Sequence, residues 1–448
     1  MGNVPPGRSE PARAYSAAVR VVERLAEKGF TTYLAGGCVR DRLLGRTPVD
    51  YDVATEARPE IVESLFPGAI PTGKCFGVVR VRLDSEEVEV ATFRADHGYH
   101  DGRHPDSITF SDPETDAQRR DFTINALFMD PQHSDTIIDF VEGQRDLSER
   151  IVRCVGDPAT RFKEDHLRML RAVRFTSVLD FRLDAETADA IRAQAASITQ
   201  IAAERIRDEL TRILTESPRA GDALTLLHEV GLLEPLLPEI SAMRGTLQPP
   251  QFHPEGDVFE HTVLMLNEME EPSARLAWAV LLHDVGKPPT FTDDTDRIRF
   301  NRHAPIGGDM AEAILRRLKF PNDDRDFITA CVRGHMRTMD VPRMRRSTLR
   351  RMVGAPTFPV ELELHRLDCV GSHGDLDNYD RLIAFQEEMA SEPVLPPAWI
   401  TGRDVLDLGI PEGPGIGHWL RLAYEAQLED RFPDREALLV WLTEQISG

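Results

Sequence analysis

Apolar positions set the first elements of this chain. Val21, Val22 and Leu25 share one face of a helix predicted over 13–29, with Gly29 as its stop. Tyr33-Leu34-Ala35 reads as a buried strand, Gly36-Gly37 as a sharp turn, and a helix opens at Val39 and stops at Gly45. A second strand is expected to carry Asp50 and Asp52. Phe76–Leu83 and Val88–Phe93 are strand-like runs joined by an acidic turn. Residues 94–118 form a polar stretch without period, read as a long loop that is either functional or disordered. From about 157 onward the pattern is helical almost throughout. Prolines at 235, 238, 249 and 250 mark a boundary near 245, and Pro393, Pro396 and Pro397 a linker. The predicted fold class is α+β: a mixed-sheet head (1–150), an all-α neck and body (151–245), a second helical domain (246–392) and a helical tail (393–448).

Composition changes this picture little. With 448 residues, 41% hydrophobic and 29% charged, the chain is expected to fold as about two to four globular domains. No run approaches bilayer length, and the first residues lack an apolar signal core, so a cytoplasmic location and no membrane partner are expected. Pro6 stands where a myristoylation signal wants Ser or Thr. The five scattered cysteines form no Cys-x-x-Cys and suggest reduced thiols. A net charge of −22 argues against a nucleic-acid partner, but arginine is concentrated between Arg150 and Arg212, which predicts a basic cleft on an acidic body.

The chemistry begins at the glycine turn. Gly36-Gly37 lets backbone approach a ligand closely, and the following helix start favours phosphate. Asp50 and Asp52, two apart on a strand, face the same way, and such a pair is costly without a divalent cation. Mg²⁺ with substrate phosphate suits that need. The run Gly36-Gly-Cys-Val-Arg-Asp41, Leu43-Leu-Gly-Arg46 and Asp50-Tyr-Asp52 resembles the opening of the class II nucleotidyltransferases, the tRNA CCA-adding enzymes and bacterial poly(A) polymerases. That resemblance implies nucleotide contacts at Gly37 and Arg40. It also implies two Mg²⁺ ions on Asp50 and Asp52, which activate an RNA 3′-hydroxyl and stabilise the leaving pyrophosphate; Glu89 is a candidate third carboxylate.

Arg119-Arg-Asp-Phe-Thr-Ile-Asn-Ala126 joins two guanidinia, suited to phosphate and sugar oxygens, with a carboxylate that accepts from hydroxyls. On residue types alone it serves equally as a salt bridge fixing a turn. In the resembled family this motif contacts ribose and separates NTP from dNTP, which points to Arg120 and Asp121. Asp165, Arg168, Arg171 and Arg174 recur every three residues, a polar stripe on one predicted helix, with Leu167, Leu170 and Val173 toward the core. Such a stripe is usually a solvated face. It also offers a carboxylate for an exocyclic amino group and an arginine for a ring nitrogen, the order that adenine and cytosine present and guanine and uracil do not. Unmet bonds cost roughly 1–3 kcal/mol each. Glu-Asp-x-x-Arg is the family's nucleotide-template motif, and by the same resemblance Arg171 and Arg174 contact triphosphate or support the template. Glu164-Asp-His-Leu-Arg168 lies closer to CCA-adding enzymes than to poly(A) polymerases, and Tyr99-x-Asp-Gly-Arg-His-Pro105 resembles the loop that switches addition from C to A. The implied function is template-independent CCA addition to tRNA from CTP and ATP. An A-adding enzyme or poly(A) polymerase is the near alternative.

His261, His283-Asp284, His303, His335 and Asp368 lie on successive helical segments and suit a divalent transition metal such as Ni²⁺ or Mn²⁺. Any one of these histidines alone is more often a core or surface residue. With Leu281-Leu-His-Asp-Val-Gly-Lys287 the set resembles the HD phosphohydrolase superfamily; Asp375 and Asp377 compete with Asp368 for the last place. The resemblance implies metal-dependent phosphohydrolase activity, and leaves as another class an HD hydrolase whose head merely binds RNA. Trp399–Gly417 resembles the C-terminal segment of CCA-adding enzymes, serving tRNA binding or simple packing.

Overall fold

The computed structural model describes residues 11–447 apart from 74–75, 99–105, 252, 255 and 295–296. Cys75 and the Tyr99–Pro105 motif therefore lie outside the described residues. The chain divides into two compact units, one up to residue 238 and one from 239 on. None of its helices is long and apolar enough to cross a membrane, among the described residues.

The first unit opens with α1 (Pro11–Ala26), β1 (Thr32–Ala35), α2 (Gly37–Leu43), β2 (Asp52–Thr55), α3 (Pro59–Leu65), β3 (Ile70–Gly73), β4 (Val78–Leu83) and β5 (Glu86–Thr92). There follow β6 (Arg94–His97), β7 (Ser107–Phe110), α4 (Pro113–Gln118), β8 (Phe128–Asp130), β9 (Thr136–Ile138), α5 (Gly143–Glu149) and β10 (Ile151–Val152). Seven strands form one mixed sheet in the order β3-β4-β5-β2-β1-β8-β9. The β2–β5 pair is parallel and the others are antiparallel. Val79 and Val81 on β4 and Val88 and Val90 on β5 alternate inward, so the intervening Glu87 and Glu89 point out. Ala18, Val21, Val22 and Leu25 of α1 are fully buried, and α1 packs on β1, β2 and β5.

Three expectations about residues 36–118 need correction. The helix after the glycine turn starts at Gly37, not Val39, leaving Gly36 to make the turn at φ 76°. Asp50 precedes β2 rather than lying on it. The polar stretch 94–118 is not a structureless loop: it holds the β6–β7 hairpin and α4, whose start is fixed by Pro113 and by Asp112 accepting from Thr115 N–H. Short, half-exposed strands carry too few apolar residues to show a period.

The rest of the unit is α6 (Pro158–Glu164), α7 (Leu167–Leu179), β11 (Arg182–Leu183), α8 (Ala185–Gln194), α9 (Ala203–Glu216), α10 (Ala220–Glu229) and α11 (Leu233–Leu236). Asp165 is not on the helix of Arg168, Arg171 and Arg174. It stands in the break between α6 and α7 with extended φ/ψ of −145° and 105°. Leu167, Leu170 and Val173 do face the core.

After α12 (Pro238–Ser241) the second unit is built from α13 (Val258–Asn267), α14 (Ala274–Leu282), α15 (Lys287–Thr290), α16 (His303–Arg317), α17 (Asn322–Gly334), α18 (Arg346–Val353), α19 (Phe358–Val370) and α20 (Asp377–Glu388). A hairpin, β12 (Phe291–Asp294) and β13 (Arg297–Phe300), interrupts the expected all-helical run. The tail adds α21 (Gly402–Asp407), α22 (Pro414–Leu428) and α23 (Arg435–Ser447). It has its own core of Ile400, Val405, Ala423, Leu438 and Leu442. It is tied to α18 by Arg346 and Arg350, both paired with Asp430.

Gly286, between the His-Asp pair and α15, permits the closest approach in this unit. A Cβ there would meet His303 O at 2.2 Å and Gly307 N at 2.6 Å. Gly286→Ala is expected to push α16 away and cost about 1–3 kcal/mol. Urea unfolding of the purified variant checks this, and an unchanged midpoint would refute the packing argument.

Candidate functional sites

In the first unit, strand register assembles the site. Ala35, the last residue before the glycine turn, pairs with Asp52, and Asp52 pairs with Glu89 across the parallel β2–β5 ladder. Asp50, Asp52 and Glu89 thus gather beside Gly36. Crowding by surrounding protein and the charges of Glu89 and Asp50, which Arg120 only partly offsets, push the carboxyl of Asp52, an exposed residue, up to about 7. Three carboxylates within one another's field are the donor chemistry that suits a hard divalent cation.

The Arg120 guanidinium lies over the turn, 3.0 Å from where a Gly36 Cβ would stand, donates to Asn125 O at 3.3 Å and packs on the Phe128 ring. Arg40 is buried: it donates to Asn125 Oδ1 at 2.6 Å and to Asp41 Oδ1 at 2.8 Å. Asp121 accepts from Phe122 N–H at 2.8 Å and from Arg171 Nε and Nη2 at 2.8 and 2.7 Å. Burial opposes its ionisation, but the Arg171 charge and hydrogen bonds hold it down to about 2. Arg174 is buried against Glu209, 2.6 Å away. The guanidinia of Arg40, Arg171 and Arg174 surround one ring, that of Phe175. Asp165 accepts from Leu167 N–H and from Arg205 Nη2, both at 3.0 Å. Arg168 donates to Glu164 at 2.6 Å and to Arg119 O at 3.1 Å.

Arg120, Asp121, Arg168 and Arg171 are joined through Asp116, Asn125 and the Arg119 carbonyl, Asp165 is held separately by Arg205, and Gly37 and Arg40 stand at the turn. Within the stretch expected to form a basic cleft, the arginines take part in ion pairs. Arg150, Arg153, Arg161, Arg168, Arg171, Arg174, Arg192, Arg205, Arg207 and Arg212 each face a carboxylate. Asp116, Asn125, Arg205 and Glu209 were missed in the sequence. Asp116 has a local signal, lying three and four residues before Arg119 and Arg120. Arg205 and Glu209 come from α9 and have none. The four described cysteines are free and buried, and burial pushes each thiol up to about 12, which leaves them inert.

The second unit brings its six predicted ligands together in two triads, His261 with His283 and Asp368, and Asp284 with His303 and His335. In each imidazole Nδ1 meets a backbone carbonyl: His261 at Gly371, His283 at Val280, His303 at Phe300 and His335 at Val332. A carbonyl accepts only, so Nδ1 carries the proton and Nε2 presents a lone pair. The Nε2 atoms of His303 and His335 lie 3.2 Å apart, and that of His261 lies 3.0 Å from Asp368 Oδ1. His283 Nε2 is buried and makes no hydrogen bond, 3.0 Å from Asp284 Oδ2, which is itself paired with Lys287 Nζ at 2.6 Å. Burial pushes His335 down to about 4 and also lowers His303. Burial opposes ionisation of Asp284 too, but the charge of Lys287 Nζ, 2.6 Å away, helps hold its carboxyl low. Clustered imidazole Nε2 atoms, carboxylates and the unbonded, buried Nε2 of His283 fit one or two divalent transition-metal ions. Asp284, His303, His335 and Asp368 open on a cavity of about 800 Å³. Asp375 also lines it, but accepts from Asp377 N–H within its own turn.

Residues 32–153 match the poly A polymerase head domain, 180–243 the probable RNA and SrmB-binding site of polymerase A, and 257–368 the HD domain. Fold and head thus define a nucleotidyltransferase carrying an HD domain. A CCA-adding enzyme of Lactobacillus helveticus (strain DPC 4571) is 33% identical over 425 residues, spanning 92% of this chain and 93% of that enzyme. One of Geobacillus thermodenitrificans (strain NG80-2) is 44% identical over 219 residues, 49% of this chain and 54% of its own length. The crystal structure of the Bacillus stearothermophilus CCA-adding enzyme in complex with CTP shares the fold with a TM-score of 0.73 at 29% identity, covering 98% of each chain. The Thermotoga maritima CCA-adding enzyme complexed with tRNA shares the fold at a TM-score of 0.63 and 20% identity, over 98% of this chain and 97% of that one. This chain belongs to the CCA-adding enzyme family.

The raised Asp52 carboxyl has a measurable consequence. Folding disfavours its charged form, so the metal-free protein loses stability as pH rises from the ordinary carboxylate range toward 7. Asp52→Asn removes that loss. In EDTA its thermal midpoint is expected to exceed the parent's by more at pH 8 than at pH 5; a constant gap would refute the crowding.

Proposed function

We infer that the chain adds C, C and A to tRNA 3′ ends from CTP and ATP. The observation that carries this reading is the gathering of Asp50, Asp52 and Glu89 beside the glycine turn, with Arg120 over it, in a chain related to CCA-adding enzymes along nearly its whole length. Asp50, Asp52 and Glu89 would hold Mg²⁺, whose charge supplies activation of the RNA 3′-hydroxyl and relief of charge on pyrophosphate. Arg120 and Asp121 contact ribose and Gly37 and Arg40 shape the phosphate turn. Arg171 fixes Asp121, while Arg174, buried on Glu209, supports α7 from behind.

Base choice falls to Asp165 and Arg168. Both are fixed by protein partners before a nucleotide arrives, Asp165 by Arg205 and Arg168 by Glu164, so little ordering is left to bind it. A carboxylate has about four acceptor sites, so Asp165 can also take the amino group of adenine or cytosine. Arg168 donates to the adjacent ring nitrogen. A tRNA substrate also agrees with the cytoplasmic location expected from the sequence.

The test supplies tRNA ending at the discriminator base, at C or at CC, with CTP and ATP separately. Two C and then one A are expected. Growth only from the CC end would instead identify an A-adding enzyme, and a long A tail a poly(A) polymerase. Asp50→Ala should abolish incorporation and leave tRNA affinity nearly intact.

For the second unit we infer a metal-dependent phosphohydrolase. The four imidazoles with Nδ1 committed to carbonyls support this, because such commitment turns every Nε2 into a ligand. Hydrolysis of bis-p-nitrophenyl phosphate with Ni²⁺ or Mn²⁺ is expected, and its loss in His283→Ala. No turnover with either metal would leave the domain a structural role.

A further inference from the structure

Asp116, on α4, is 1% exposed and divides its carboxylate between two arginines. Oδ1 accepts from Arg119 Nε and Nη2 at 2.9 and 2.7 Å, and Oδ2 from Arg120 Nε and Nη2 at 3.2 and 3.0 Å. Oδ1 also accepts Arg94 N–H at 3.3 Å from the start of β6. Arg119 Nη1 lies 3.6 Å from Asp96 Oδ2, and Asp96 Oδ1 accepts from Arg94 Nε at 2.9 Å. One carboxylate thus joins the root of the β6–β7 hairpin to the arginine over the glycine turn. Burial works against its charge, but the two guanidinia keep it ionised below the usual carboxylate range.

Arg120 needs such a partner. An arginine side chain has about 2 kcal/mol of rotamer entropy to lose, and its planar fork acts on a ligand only when its orientation is fixed. Asn125 O supplies one acceptor, to Nη1, and the Phe128 ring a face. Among the described residues, Asp116 alone grips the fork by its Nε and Nη2 edge, which leaves the Nη1 end toward Gly36. Two forks require two anionic oxygens, so asparagine, with one oxygen and an amide that repels a guanidinium, cannot replace it.

We propose that Asp116 is a positioning residue for nucleotide addition: it sets the orientation of the Arg120 guanidinium beside the incoming ribose, and so the preference for NTP over dNTP. This rests on the nucleotide-adding role proposed for the head. The test compares Asp116→Asn, Arg120→Ala and the double variant on tRNA ending in C or CC. Asp116→Asn should raise KM for CTP and ATP about tenfold, the loss of one charge-assisted hydrogen bond. It should also lower the preference for NTP over dNTP and leave KM for tRNA unchanged. Adding it to Arg120→Ala should cost nothing further, because the two act as one unit. Losses that multiply in the double variant, or a folded Asp116→Asn with unchanged KM and ribose preference, would overturn the proposal. If Asp116→Asn fails to fold, Asp116→Glu keeps the charge and displaces the oxygens by one methylene. It should shift ribose preference in the same direction, and unchanged preference in it would equally overturn the proposal. A parent protein that adds no nucleotide would sink the reading of the head instead.

Discussion

Like charge held close by backbone register is the constraint on which the head depends. The parallel pairing of β2 with β5 sets Asp52 opposite Glu89, and neither can retreat without breaking the ladder. The sheet is stabilised elsewhere, by Val88 and Val90 of β5 beside α1 and Val79 and Val81 of β4 beside α3, so the repulsion is carried by a scaffold that does not need those carboxylates. Strain kept at one strand end and offset by an apolar core is the arrangement expected where a cation and substrate phosphate complete the charge balance.

Around that end the structure arranges opposite charge rather than leaving it loose. Asp116 holds Arg119 and Arg120, Asp121 holds Arg171, and Glu209 holds Arg174. Each pair is buried or half-buried, so removing one partner strands the other in a poor solvent for charge. The gain is geometry more than stability: long guanidinium side chains are fixed before a nucleotide arrives. The second unit reaches the same end with neutral groups. Backbone carbonyls select one tautomer of four histidines, and burial keeps His303 and His335 uncharged.

Much of this was legible in the order of residues. The glycine turn, the Asp50-x-Asp52 pair, the Arg120-Asp121 step and the His-Asp pair are local signals, each within a few residues. Where reading failed, the cause was a contact across distance or a backbone break. Asp165 looked like the first residue of a helical stripe because its spacing to Arg168 is helical. The chain instead breaks there, with Asp165 bonding Leu167 N–H and Arg205. The arginines between 150 and 212 are paired both locally, as Arg161 and Arg168 with Glu164, and over long stretches of chain, as Arg171 with Asp121. The hairpins at 94–110 and 291–300 were too short to show a period against polar neighbours.

The sequence by itself determined which residue types are present and how they repeat. That suffices for an α+β head, a helical remainder and two kinds of chemistry, because periodicity and spacing act within a few residues of the chain. Tertiary structure alone decided which charges meet. Glu89 joins Asp52 through strand register, Arg205 reaches Asp165 from another helix, and Asp368 rather than Asp375 closes the triad with His261 and His283. The physical reason is that an ion pair or a metal centre depends on separation in space, which falls to a few ångströms only after the apolar faces have packed.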